Sequence, residues 1–550
     1  MLRLVATTVG PASIAVGSNG PSQVVEAYNA GDGTLPLAVS SSQPWAVPSV
    51  GQAAPCFTTN QVTVPCIPIT VALNTASLTA GTQTAILTVT GDANTVDAPQ
   101  TITVTVNMGG SVPSTINAYV PPNGSVNIPT PTNSDLRWQA TTQDGNAWLS
   151  MNISGGGSFR FVYPWSVLIA AQPANVPGTY NGTMTLSNSS FAGDNKTIPV
   201  TMNVTTLPIA QQPGPVTVRL AQGAPPMSYP FAGIALNNLG LGTLTVTNVS
   251  TAIASCGNSW LTVAQSSTGA ALTFDPTGQS VGTCTATLTF TTNAANVLAP
   301  VPVIMQVVAK GQPLIDYQGV TDNVTFTAGG AVSPGDIVVV KGEQFSFTSA
   351  PNGFVLLSQI PWPTSLGGVT VTVNGETAPL YYVFYGQLAF QMPMDTALGT
   401  ALVTVTRSDG AASNPASVPV VARAPAIEVI TKADYTVPNA SNPAHAGDTL
   451  ILWAFGLGPT SPAVAAGQPA PTYPAPLAGL IDTPTVGFSL GNTIVAPVTA
   501  VPSFAGLAPT LAGIYQVNVT IPVGCPTGTV SVRLSFPDST FSNAALITVQ

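Results

Sequence analysis

A chain of 550 residues with 6% charged and 45% apolar side chains is too long for one hydrophobic core and too rich in short apolar runs for disorder, so it reads as several folded domains. Its net charge of −9, with 11 basic residues scattered singly, offers no cationic stripe to a phosphate backbone and excludes nucleic acid as a partner. Its 52 prolines and 51 glycines break every apolar run before the roughly 18 residues that a membrane helix needs, which leaves no membrane span.

Met1 is followed almost at once by the strand-like LRLVATTV, with one arginine and neither an apolar h-region nor a small-residue cleavage site, so no secretory signal is expected here. The first long alternating strand is GTQTAILTVT from Gly81, with Ala85, Leu87 and Val89 on one face and threonines and Ile86 on the other. Nearly the same phrase returns as GTYNGTMTLS from Gly178, where Gly182, Met184 and Leu186 face inward, and as GTCTATLTFT from Gly282, where Ala286, Leu288 and Phe290 do. Half-buried antiparallel strands read this way. A second alternating strand follows each copy, at TVTVNM, PVTMNV and PVIMQV, and a tryptophan precedes each, at Trp45, Trp148 and Trp260. The first and third copies also open on a turn, NAGDGTLPL from Asn29 and NLGLGTLTV from Asn238, which suits a hairpin needing positive φ. In the second, TNSDLRWQA stands in its place.

Four cysteines fit local disulfides in an oxidising compartment: Cys56 and Cys66 flank a turn-like TTNQ stretch, and Cys256 and Cys284 bracket one repeat. Cys525 is left over, either a buried free thiol or an intermolecular bridge. Short strands at regular spacing, turn residues between them and no helical period predict an all-β tandem array of about five immunoglobulin-like sandwiches. The expected domains are 1–109, 110–206, 207–311, 312–422 and 423–550. On the segments PWAV, AWLS and SWLT, the Gly-Thr strand and the closing strand, the first three resemble BACON-type domains, an immunoglobulin-like family often linked to carbohydrate.

From about residue 312 a different module occurs twice. SPGDIVVVKGEQF parallels HAGDTLILWAFGLG, GQLAFQMP parallels GIYQVNVTIP, and GTALVTVTRSDGAASNPASVPV parallels GTVSVRLSFPDSTFSNAALITV. Gly399 and Gly528, Ser413 and Ser542, and Asn414 and Asn543 all stand 129 residues apart. With LGGVTVTVNGETAPLYYV and AGLAPTLAGIYQVNVTIP, these segments resemble the uncharacterised C-terminal domain family abundant in secreted acidobacterial proteins. That resemblance implies export, and each half resembles an IPT/TIG-type sandwich.

Catalytic chemistry finds no constellation. His445 is the only histidine, and the parallel position in the other half is Ser333, so it marks a strand-entry turn rather than a general base. Asp336 and Asp448 occupy equivalent turns and are expected to bond their own backbone. No Walker loop, GxSxG elbow, HExxH or clustered zinc ligands occur, so neither enzyme activity, metal nor cofactor is expected. Asp32 or Asp144 with carbonyls could make only a loose calcium site. Sequons at Asn152, Asn181, Asn195 and Asn518 permit glycosylation. Tyr381, Tyr382, Phe384 and Tyr385 in PLYYVFYG are candidates for stacking on sugar, against a reading in which one ring face fills the core and the other meets a neighbouring domain. The recurring tryptophans read as core anchors.

These features predict a non-enzymatic extracellular structural protein, a subunit of a self-assembling filament, tube or layer whose partners are copies of itself. The expected mechanism is strand-edge pairing or donated end strands, with Leu2 to Val9 and Ala544 to Val549 as the donors. The alternatives are a cell-surface array binding polysaccharide and the stalk of a larger enzyme.

Overall fold

The computed structural model describes residues 1–550 apart from 30–33, 57–64, 93–94, 96–97, 111, 131–135, 154–164, 190, 229–232, 258, 349–354 and 492–496. Asp32 and the TTNQ stretch therefore lie outside the described residues. Among those described, regular structure is strand, with one short 3-10 turn at Ala192–Asp194. The chain is a tandem array of immunoglobulin-like β-sandwiches, and it divides into two compact units.

The first unit comprises Met1–Val218, Ser228–Thr273 and Thr283–Met305. Its opening sandwich sets a sheet ordered Leu2–Leu4, Gly20–Asn29, Cys66–Leu73, Ala46–Val50 against one ordered Thr8–Ile14, Gln100–Met108, Gly81–Thr90, Ala38–Ser41. Ile69, Val71, Leu87, Ile102 and Val104 fill the space between them. The second sandwich repeats the plan: Ser125–Pro129, Trp165–Ala170, Leu149–Ile153 face Arg137–Thr142, Gly178–Ser187, Thr197–Val204, Ile116–Val120. In both, an early strand runs parallel to the closing strand, Thr8–Ile14 beside Gln100–Met108 and Ile116–Val120 beside Thr197–Val204. The third sandwich, whose segments 219–227, 274–282 and 306–308 fall in the second unit, orders Val216–Ala221, Val301–Val308, Gly282–Thr292 and Val246–Ile253 in one sheet, and buries Trp260, Leu272, Leu288 and Met305.

The repeated phrase lies where its alternation puts it. Ala85, Leu87 and Val89, then Gly182, Met184 and Leu186, then Ala286, Leu288 and Phe290 are buried, and the threonines between them face outward or sit at the rim. Its opening glycine has a backbone reason: Gly81 and Gly282 hold φ of +117° and +152°, and Gly399 and Gly528, which open the matching strands of the duplicated region, hold +120° and +106°. Gly182 answers a packing need instead. A Cβ there would stand 3.2 Å from the Trp148 ring and 2.8 Å from the Thr141 carbonyl.

Two disulfides form, Cys56–Cys66 and Cys256–Cys284, with Cα separations of 4.9 and 5.3 Å. The turn expected at NLGLG is built by Asn238, whose Oδ1 accepts the Gly240 amide and whose Nδ2 donates to the Gly242 carbonyl.

The second unit comprises Arg219–Met227, Phe274–Gly282 and Gln306–Gln550. The fourth sandwich sets a five-stranded sheet, Leu314–Asp322, Ile337–Glu343, Gln387–Gln391, Leu380–Val383, Val355–Leu356, against Glu376–Thr377, Thr370–Val373, Gly399–Thr406, Ala416–Val420. The fifth enlarges the first of these sheets to six strands, Ala426–Lys432, Thr449–Phe455, Tyr515–Thr520, Phe504–Leu507, Gly479–Leu480, Thr460–Ser461, and keeps four in the other. Separate aliphatic cores fill the two, around Val338, Val371 and Phe390 in one and Leu452, Phe488 and Val532 in the other.

Candidate functional site

The duplicated sequence makes duplicated hydrogen bonds. Ser413 Oγ accepts the Val405 amide at 3.0 Å and donates to the Asn414 carbonyl at 2.8 Å; Ser542 Oγ does the same with Leu534 and Asn543 at 3.0 and 2.7 Å. Asn414 then holds both backbone groups of Ile315, and Asn543 both groups of Ile427. Each pair thus ties the end of its sandwich to the beginning. The glycine-aspartate turns also match: Gly335 and Gly447 donate to the carbonyls of Met392 and Ile521, whose amides return to Asp336 and Asp448.

The two aspartates then part company. Asp448 accepts the His445 amide at 2.8 Å near the surface, as a turn aspartate should. Asp336 is wholly buried, and neither carboxylate oxygen has a hydrogen-bond partner of sound geometry. Burial, reinforced by the nearby Asp322 charge, pushes its pKa well above the ordinary carboxylate range, against a smaller pull from the backbone of Ser333 and Ile337.

Asp336 is buried because the fourth and fifth sandwiches meet there. A Cβ on Gly456 would stand 3.0 Å from the Asp336 Oδ2. Ile337, Val339, Trp362 and Ala389 from the fourth sandwich pack with Phe455 and Ala512 from the fifth. Gln391 sews this joint: its Oε1 accepts the Gly467 amide at 2.6 Å and its Nε2 donates to the Gly335 carbonyl at 2.9 Å. The Trp362 amide donates to the Gly467 carbonyl at 2.9 Å.

Beside the joint, on the same outer sheet face, runs a strip of aromatic rings. Trp362 stacks on Tyr381 with centroids 5.1 Å apart, Tyr381 meets Tyr382 at 5.7 Å, and Tyr382 and Phe384 lie near-parallel at 6.2 Å. Strict alternation would send Tyr381 and Tyr382 to opposite faces. A β-bulge prevents it: Leu380 opposes Phe390 and Tyr382 opposes Ala389, so Tyr381 is the extra residue and both tyrosines pack on the outer face while Leu380 and Val383 enter the core. The aliphatic residues immediately flanking YY, Leu380 and Val383, were the legible trace of that bulge. The Gln387 side chain donates to the Tyr382 hydroxyl.

Tyr385 is a correction to the stacking set. It is 2% exposed, its ring edge meets Phe347 at 5.8 Å, and its hydroxyl accepts the Ala221 amide at 2.7 Å. Burial, with Glu343 nearby, drives its pKa far upward. It is a structural peg, closed to ligand.

The remaining singled-out residues have structural places. Trp45, Trp148 and Trp260 are 6%, 1% and 0% exposed, as core anchors. Asp144 accepts the Trp148 indole N–H at 3.0 Å and the Asn146 and Asn175 side-chain amides at 2.9 and 2.8 Å. Slight burial raises its pKa, but those bonds outweigh it and hold the carboxylate below its ordinary range. Among the described residues no three His, Cys, Asp or Glu side chains gather as metal ligands. Cys525 is half-buried against the fifth core, and burial pushes its thiol pKa up. No described helix is long and apolar enough to cross a membrane.

The expected end strands lie in sheets of their own chain. Leu2–Leu4 pairs with Gly20–Asn29, Thr8–Ile14 with Gln100–Met108, and Ala545–Val549 with Gly528–Ser535, while Leu2, Ile547 and Val549 fill their own cores. Donating either end would open its own sandwich.

No protein-family model and no curated protein matches this chain. Solved structures similar to it include an endo-fucoidan hydrolase of glycoside hydrolase family 107, at 14% identity and TM-score 0.17 over 55% of this chain and 43% of that one. The chain thus spans less than half of that enzyme. Another is the Bacteroides ovatus mixed-linkage glucan utilization locus protein SGBP-B in complex with a mixed-linkage heptasaccharide, at 13% identity and TM-score 0.21 over 63% and 69%. A third is Drosophila N-cadherin EC1-4, at 10% and 0.20 over 75% and 100%. Identity and superposition are low throughout, and the fold rests on the sheets and cores above.

Proposed function

We propose that this protein is a non-enzymatic extracellular structural subunit that assembles with copies of itself into a filament, tube or layer, through the open edge of its third sandwich. The observation that carries this reading is the strand Val246–Ile253. It is the longest edge strand free of charge and proline among the described residues, and only Val246 in it is buried. Proteins that stay monomeric blunt such edges with lysine, proline or a covering loop. Here the Ala254 amide bonds Thr285 inside the sheet, whereas the Val249 amide faces outward, where Gln265 Oε1 accepts it at 3.1 Å. By the two-residue period Thr251 and Ile253 present their amides on that outer side, ready for the backbone of another copy.

Two further features support it. A surface coated by hydroxyls and amides, in a chain that is 6% charged, raises little electrostatic repulsion between copies. Two disulfides suit an oxidising, extracytoplasmic compartment. The domains of the array are taken as 1–109, 110–206, 207–311, 312–422 and 423–550. Electron microscopy of the wild-type chain and of Thr251→Pro tests the reading.

A further inference from the structure

We propose that the outer face of the fourth sandwich is a binding site for an uncharged polysaccharide strand, bedded on Tyr382 and Phe384 and hydrogen-bonded by Gln387 and Lys341. The inference rests on the register of that sheet and does not depend on self-assembly. Lys341 pairs with Gln387, the Phe384 amide donates to the Gln387 carbonyl, and Tyr382 pairs with Leu356 at the sheet edge. These side chains therefore share one face across four neighbouring strands, a span of about 14 Å at the usual strand spacing. Phe326 extends the row at its far end: it is 42% exposed, and the Lys341 Nζ sits 4.8 Å from its ring centroid.

The chemistry of the row selects the ligand. Aromatic rings at both ends offer flat apolar surface to the C–H face of a sugar ring, and the amide and ammonium between them offer donors and an acceptor to hydroxyls. Ligand sites combine apolar lining with a few placed polar groups in this way. An apolar protein partner would meet a lysine and a glutamine at the centre. Glu343, the carboxylate on the Lys341 strand, is engaged by Arg219 at 3.2 Å, so among the described residues of that strand Lys341 is the one cation, a weak draw for a polyanion.

The joint explains why the site is rigid. Tyr381 is wedged between Trp362 and Tyr382 and belongs to the packed cluster beneath Phe455 and Ala512. The bulge that places Tyr381 there also turns Tyr382 outward, so the strip is built before any ligand arrives.

The test uses the full chain in pull-downs on insoluble cellulose, chitin and β-1,3-glucan, and calorimetry with the matching soluble oligosaccharides and with polygalacturonate. The expected result is binding to at least one neutral glycan, weakened tenfold or more by Tyr382→Ala and by Phe384→Ala and largely kept by Tyr382→Phe. Gln387→Ala, which removes a half-buried side chain that donates to the Tyr382 hydroxyl, should weaken binding while the chain still unfolds in a cooperative transition above the assay temperature, which separates site loss from unfolding. Absence of binding to every neutral glycan by folded wild-type protein, binding to polygalacturonate alone, or wild-type affinity in the Tyr382→Ala, Phe384→Ala double variant would each overturn the proposal.

Discussion

Asn543 grips Ile427 by both of its backbone groups, accepting the amide at 2.6 Å and donating to the carbonyl at 3.0 Å. Asn414 does the same to Ile315 at 3.0 and 3.2 Å. An isolated pair of strands would have no reason for this; a sandwich whose first and last segments must stay together does. Asn543→Ala leaves an amide and a carbonyl of a core-flanking strand without partners, and each such loss costs about 1–3 kcal/mol. Urea unfolding should show destabilisation in that range for Asn543→Ala and for Asn414→Ala. Unchanged midpoints in both would mean that the latch is ornamental.

Gln391 should matter to the joint more than to either sandwich alone. Gln391→Leu removes the partners of the Gly467 amide and the Gly335 carbonyl, for a loss again of about 1–3 kcal/mol per orphaned group. Limited proteolysis around Gly467 should accelerate in the variant while the fourth core stays protected from amide exchange. Equal cleavage rates would show that the apolar contacts of Phe455 and Ala512 suffice.

Asp336 gives the protein an acid-favoured joint. Its raised folded pKa means that the folded chain keeps a proton which the unfolded chain has lost above about pH 4. Stability from this group is fully present below that pH and declines as pH rises toward the folded value, by at most about 1.4 kcal/mol per pH unit. Asp336→Asn cannot ionise, so its melting temperature should fall less between pH 5 and pH 7 than that of wild type. A steeper fall in the variant would mean that the carboxylate is ionised in the fold.

The Cys256–Cys284 bridge closes 28 residues of the third sandwich. On loop entropy alone its loss should cost about 3–4 kcal/mol. Thermal unfolding of the Cys256→Ser, Cys284→Ser double variant measures this, and a shift below one degree would place the stability elsewhere.

Much of this architecture was legible in the residues. The inward positions of the Gly-Thr strand, the three tryptophans, both disulfides and the duplication all follow from short-range pattern, because period-two burial and paired spacing are local properties. Tertiary context decided the rest. Asp336 and Asp448 sit in matching turns, yet only one is capped by the second half, so motif comparison alone made them alike. Alternation placed Tyr381 and Tyr382 on opposite faces until a bulge moved one, and Tyr385 became a peg because the Ala221 amide meets it. The glutamine at 391 carried no signal beyond its place in a strand, and its role needed the partner loop at Gly467. The end strands looked free because a sequence does not show which sheet a terminal strand joins.

The central claim is that the Val246–Ile253 edge joins one copy to the next, and negative-stain electron microscopy with light scattering at micromolar concentration tests it most directly. Proline at Thr251 removes an outward amide and leaves the bonds of Ala252 and Ala254 to their own sheet in place. The account predicts regular filaments, tubes or sheets for wild type, and folded particles of single-chain mass for Thr251→Pro. Monodisperse single chains in the wild type, or polymers of equal length and yield in the variant, would contradict it.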